Sequence, residues 1–152
     1  MIVRLIMLAP RNVSEEPMDL TLEMAERAAK TALAKAKALG TVMTASVVDE
    51  AGRTVLVMRG DGAGFLSPQT SHAKAVAAAN FRKPTKELGE MAMKGSAFWS
   101  AAPAVLRGDV LPSIGGVPIM KGGRVIGAIG CGGGTGEQDH ECALAGAEAV
   151  KR

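Results

Sequence analysis

The chain has 152 residues, enough for one domain with a core of its own and no disulfide or metal staples. Apolar residues make up 47% but aromatics only 3%, with no Tyr, so the core is expected from Ala, Val, Ile, Leu and nine Met. The net charge of +3 is spread over scattered Lys and Arg, with no basic run interleaved with aromatics, which argues against nucleic acid as the main partner.

The opening MIVRLIMLAP is too short for a signal h-region and has no small-residue cleavage site. No stretch reaches membrane-span length. Cys131 and Cys142 are too few for a disulfide framework and suit a reducing compartment. A cytoplasmic protein with no membrane partner is expected.

Residues 1–17 are expected to form an N-terminal arm, with 2–8 either a short strand or part of that arm, ahead of a single domain over 18–152. The first helix is expected from Leu22 to Leu39, with Thr21 as N-cap and Gly40 as stop. Ala25, Ala29, Ala32, Ala36 and Leu39 recur at helical spacing and define its buried face. Alternation from Val42 to Asp49 puts Met43, Ala45 and Val47 on one face of a strand and Thr44, Ser46 and Val48 on the other. The turn Asp49-Glu50-Ala51-Gly52 returns the chain as a second strand over Arg53–Arg59. Ser67-Pro68 opens a helix to Phe81, with Ser67 as the expected cap. A short helix follows from Pro84-Thr85 and ends near Gly95.

Ser96 to Arg107 reads as irregular, anchored by Phe98 and Trp99. A third strand is expected over Asp109–Ile114. Val117–Met120 and Arg124–Cys131 form a hairpin around Gly122-Gly123, a doublet suited to positive φ. Thr135 and Gln138 fit a capping box for a last helix that runs to Val150. The hairpins imply an antiparallel sheet covered by helices, an α+β fold.

Four blocks in this order carry a resemblance: LTLEMAERAAKTALAKAKALG, SVVDEAGRTVLVMRGDGA, SHAKAVAAANFRKPT and IGGVPIMKGGRVIGAIGCGGGTGEQD. Together they resemble the GlcG/HbpS-like family, over roughly residues 18–152. The C-terminal domain of PduO-type cobalamin adenosyltransferase is similar too. The resemblance implies a profilin-like, five-stranded antiparallel sheet flanked by helices on both faces and assembled into a homo-oligomer. It implies haem or a related tetrapyrrole as ligand. Two positions depart from the family pattern: Ala77 stands where Thr is common, and Cys131-Gly132 where Ser is common.

His72 is a candidate haem iron ligand or general acid/base, because imidazole titrates near neutrality; the alternative is a hydrogen-bonded surface histidine. Lys74 matches the family's lysine and is a candidate point charge for a ligand carboxylate; the alternative is an ordinary ion pair. Asp139 matches the family's aspartate, and also suits the helix dipole at the start of the last helix. His140 follows it. Gly132–Gly136, with Gly133 and Thr135, leads into a helix N-terminus whose amides can bind anions; the alternative is a simple turn. Cys131 beside that loop is a candidate nucleophile or an inert buried thiol. Arg82, like Arg59 and Asp61, flanks a break between elements and offers a carboxylate fork.

Besides a structural or regulatory oligomer with no small ligand, two functions follow. The first is a small-ligand-binding oligomer for haem or another tetrapyrrole. The second is an enzyme or accessory protein of carboxylate or aromatic catabolism, with a site near the Gly132–Gly136 loop.

Overall fold

The computed structural model describes residues 19–151. The expected arm, with or without its short strand, lies outside the described residues. The order of elements is α1 (Leu22–Ala38), β1 (Thr44–Asp49), β2 (Thr54–Arg59), α2 (Ser67–Phe81), α3 (Thr85–Met93), α4 (Ala97–Val105), β3 (Gly116–Lys121), β4 (Arg124–Gly132) and α5 (Gly136–Glu148). The strands form one antiparallel sheet in the order β2-β1-β4-β3.

The sheet has four strands among the described residues, not five. The segment Asp109–Ile114 is not a strand. Its Leu111 amide donates to the Ala73 carbonyl of α2 at 3.2 Å, so the segment runs over a helix instead of adding to a sheet edge.

Turn chemistry fixes both hairpins. Asp49 Oδ1 accepts from the amides of Ala51 and Arg53, each at 2.9 Å, and Gly52 takes φ +81°. Gly122 and Gly123 stand at φ +56° and +77°, which matches the strand twist of a two-residue turn.

The predicted alternation in β1 divides the molecule. Met43, Ala45 and Val47 join α1 and α5 in the larger core. On the opposite face Val48 packs with Ala75, Val76, Ala78 and Ala79 of α2. There Thr44 and Ser46 meet Ser67 and Ser71 of α2, hydroxyl to hydroxyl, at 2.7 Å each. Helices therefore cover both faces.

Small residues set how closely they approach. Ala25, Ala28, Ala29, Ala32 and Ala36 are the buried face of α1. A Cβ at Gly146 of α5 would come within 2.6 Å of the Ala28 carbonyl. A Cβ at Gly130 of β4 would overlap the Ser71 carbonyl and lie 2.6 Å from the Ala75 amide. The α2 backbone thus rests directly on β4.

Caps follow the sequence at two helices and depart from it at one. Thr21 caps α1, and Thr135 with Gln138 forms a full capping box on α5. Ser96 caps α4, a helix where irregular chain was expected. Ser67 is inside α2 and does not cap it. Its hydroxyl is taken by Thr44 and by the Gly64 carbonyl at 2.6 Å. No helix among the described residues is long and apolar enough to cross a membrane.

Candidate functional site

The charged centre of the fold joins α2 to α5. Lys74 Nζ donates to Asp139 Oδ2 at 2.7 Å and to the Cys131 carbonyl at 3.2 Å. Both side chains are buried, at 7% and 4% exposure. Asp139 Oδ1 accepts the Gly134 amide at 2.9 Å. Gly115, at φ +127°, makes room for the pair, since a Cβ there would stand 2.7 Å from Asp139 Cβ and 3.1 Å from Lys74 Nζ. Burial raises the Asp139 carboxyl above its ordinary range, and Lys74 and the Gly134 amide pull it back.

Lys74, Cys131, Gly133, Thr135 and Asp139 are thus brought together, and they largely satisfy one another. A ligand anion reaching Lys74 has to displace Asp139. Gly133 stands at φ +134°, and a Cβ there would lie 2.7 Å from the Val42 carbonyl. The Thr135 amide donates to Gln138 Oε1 at 2.9 Å, so two loop amides, at 134 and 135, are used by α5's own side chains.

The other candidates lie apart. His72 is half-buried on the flank of α2 that faces β2, with Nδ1 3.5 Å from Thr54 Oγ1. Register puts Thr54, Val57 and Arg59 on this same face of the sheet, opposite Val48, Ser46 and Thr44. Val57 is 42% exposed, so this face of the edge strand is left partly uncovered and partly apolar. His140, on α5, holds Nδ1 buried without a hydrogen-bond partner. Arg82 ends α2 in left-handed backbone, φ +55°, and lines a 560 Å³ cavity with Glu50, Ala79, Met120 and Arg124. It lies ten residues from His72, roughly 15 Å along a helix. No cluster of three His, Cys, Asp or Glu that could hold a metal occurs among the described residues.

Thr54, as partner of His72, and Gly115, as the space for the ion pair, carry no local sequence signal. The Thr44 and Ser46 contacts do have one, because alternation had already put these hydroxyls on one face.

The sequence model of the family described as "Haem degrading protein HbpS-like" matches residues 20–148. The chain belongs to the HbpS-like family. It is 34% identical over 129 residues to an uncharacterized 15.0 kDa protein in the dhaT-dhaS intergenic region of Citrobacter freundii, covering 85% of this chain and 90% of that one. Its fold is similar to the crystal structure of HbpS, with a TM-score of 0.79 and 32% identity over 88% of this chain and 91% of that one. It is also similar to PduOC solved as a haem complex, with a TM-score of 0.79 and 27% identity, covering 86% and 94% of the two chains.

This HbpS-like chain carries two free thiols, both buried. Burial pushes Cys131 well above the ordinary thiol value and raises Cys142 to about 11. Neither is poised as a thiolate nucleophile near neutrality. The shifts set an alkaline limit. In the unfolded chain the thiols ionise near pH 9.0, and in the folded chain Cys142 does so only near pH 11. Between these values the unfolded state holds fewer protons, so stability falls as pH rises. Urea unfolding at pH 8, 9.5 and 10.5 is expected to show a falling midpoint, with the fall reduced in Cys142→Ala after allowance for its own destabilisation.

Proposed function

We propose that this chain binds haem or a related tetrapyrrole, as a homo-oligomer in a reducing compartment. The observation that carries the proposal is the likeness to PduOC in its haem complex, over 86% of this chain. Membership of the HbpS-like family supports the same ligand.

The residues present fit such a group at His72. A haem site needs an imidazole or equivalent donor, apolar surface for the macrocycle and cations for the propionates. When bound, haem supplies an iron whose reactivity the protein tunes through its axial ligand and surroundings. His72 offers the imidazole, and with Nδ1 3.5 Å from Thr54 Oγ1 its Nε2 would be the nitrogen left to hold an iron. Val57 offers apolar surface on the same side of the sheet. Arg59 is the cation that register puts on that side, although its guanidinium also bonds the Ala63 carbonyl at 3.2 Å. Lys74 is spent on Asp139, and Arg82 lies roughly 15 Å along α2 from His72.

Haemin titration tests the proposal. A saturable Soret shift near one equivalent is expected, with at least tenfold weaker binding in His72→Ala and little change in His140→Ala. His72 is not part of either core, so the variant is expected to keep its fold. An equal response from wild type and His72→Ala removes the iron-ligand assignment, and a non-saturating response removes the function.

A further inference from the structure

The chain is poor in aromatics, yet three of its four aromatic side chains gather in one place. Phe81, at the end of α2, meets Phe98 and Trp99 of α4 with ring centroids 6.0 and 5.4 Å away, and Phe98 meets Trp99 at 5.0 Å. This cluster does not complete the core. Of the nine residues of α4 only Ala102 is buried, while Phe98 is 55% and Val105 75% exposed.

The rings instead wall a cavity of 320 Å³, lined by Phe81, Phe98, Ala101, Ala102, Val105 and Leu106 and by no polar side chain. A second cavity, of 400 Å³, shares Phe81, Val105 and Leu106 with the first and runs on to Asn80, Arg107 and Asp109. The two make one trough with an apolar end and a polar end. Its volume is in the range that encloses a small organic molecule.

Arg107 marks the polar end. It stands at φ +50°, a left-handed conformation that suits glycine and costs a non-glycine residue strain. It forms no ion pair among the described residues, although Asp109 lines the same end. Its guanidinium is therefore available to an incoming anion, and the Asp109 carboxylate at the same rim disfavours ligands with a second negative charge. The Asn80 amide nitrogen is already used by the Val76 carbonyl at 2.9 Å, which leaves its oxygen as an acceptor.

We infer that this trough is a binding site for a small aromatic monocarboxylate, its ring against Phe81, Phe98 and Leu106 and its carboxylate on Arg107. The inference is independent of haem binding at His72, which lies nine residues before Phe81 on another part of α2. The aromatic walls offer offset and edge contacts to a ligand ring. The arginine fork gives the carboxylate two parallel hydrogen bonds and so sets its orientation.

Trp99 is the only tryptophan of the chain and packs against two of the wall rings, so it reports occupancy. The experiment titrates 4-phenylbutyrate and its uncharged amide into the full chain, read by Trp99 emission and by calorimetry. The acid is expected to bind saturably and at least tenfold more tightly than the amide. Arg107→Gly is expected to abolish that preference. It also places glycine in left-handed backbone, so it is expected to keep or raise stability, and loss of binding cannot be blamed on misfolding. His72→Ala is expected to leave the titration unchanged. Equal binding of acid and amide, or an acid preference that survives Arg107→Gly, overturns the carboxylate assignment. Displacement of 4-phenylbutyrate by one equivalent of haemin in the His72→Ala protein overturns the claim of a separate site. A Trp99 emission that depends on protein concentration and ignores both compounds overturns the small-ligand reading in favour of a second copy covering α4.

Discussion

Lys74→Met is expected to destabilise the fold by about 3–5 kcal/mol in urea unfolding at pH 7, the usual cost of removing one partner from a buried ion pair. The methionine fills most of the lysine's volume, so the loss does not come from a cavity. It comes from Asp139, which is 4% exposed and left with a charge answered only by the Gly134 amide. The Cys131 carbonyl loses its donor as well.

The pH dependence identifies the cause. The Asp139 carboxyl is already raised by burial, and removal of Lys74 raises it further. A carboxyl with a folded pKa above its unfolded value binds more protons in the folded state between those two values. Stability then falls as pH rises through the window that starts at the ordinary carboxylate value of 3.8, and is regained on acidification. The deficit of Lys74→Met relative to wild type is therefore expected to shrink as pH drops toward 4. The double variant Lys74→Met, Asp139→Leu is expected to be more stable than Lys74→Met alone, because no charge is left in the interior. A single variant within 1 kcal/mol of wild type, or a double variant worse than the single, contradicts this account.

The same pair shows how far the sequence could be read. Lys74 and Asp139 were each recognisable by their place in the family pattern, but they are 65 residues apart and nothing local says that they touch. Their contact depends on α2 and α5 approaching the same end of β4, which only the assembled sheet decides. The hairpins were legible because their determinants are local: Asp49 at one turn and Gly122-Gly123 at the other. So was the division of β1 into an apolar face and a hydroxyl face, because strand alternation survives in any context.

Three readings failed for physical reasons. The α4 segment AFWSAAPAV has no polar face to give a helical period, and Pro103 lies inside the helix, where proline is disfavoured. The Asp109–Ile114 segment has strand-like residues, but its Leu111 amide is taken by the Ala73 carbonyl of α2. Ser67 has the chemistry of a cap, but Thr44 of β1 competes for the same hydroxyl from the sheet face beneath α2. In the last two cases a tertiary partner overrode a local preference. At Arg82 and Arg107 the backbone takes a conformation that favours glycine, and arginine stands there instead. Such departures from local preference are the places where side-chain chemistry outside the core is to be sought.

Gly130→Ala is the second large effect expected, and it tests the stacking of α2 on the sheet. Gly130 pairs with Ser46 on one side and Gly116 on the other, so it lies inside the sheet with α2 directly above. A methyl group there overlaps the Ser71 carbonyl and comes within 2.6 Å of the Ala75 amide. Both are backbone atoms, and no side-chain rotation relieves the clash. Either β4 bends or α2 lifts. If α2 lifts, Ser46–Ser71 and Thr44–Ser67 separate from 2.7 Å, and the Lys74–Asp139 contact lengthens with them. Overpacking of a tight core costs about 1–3 kcal/mol by itself. The strained polar contacts add to that, so a loss of about 3 kcal/mol or more in urea unfolding is expected. Gly64→Ala serves as the control, because its Cβ meets nothing within 4 Å and its φ is not left-handed; a change within about 0.5 kcal/mol is expected there. If the two variants unfold at similar urea concentrations, α2 does not rest on β4 through glycine, and the close approach that seats Lys74 beside Asp139 has another origin.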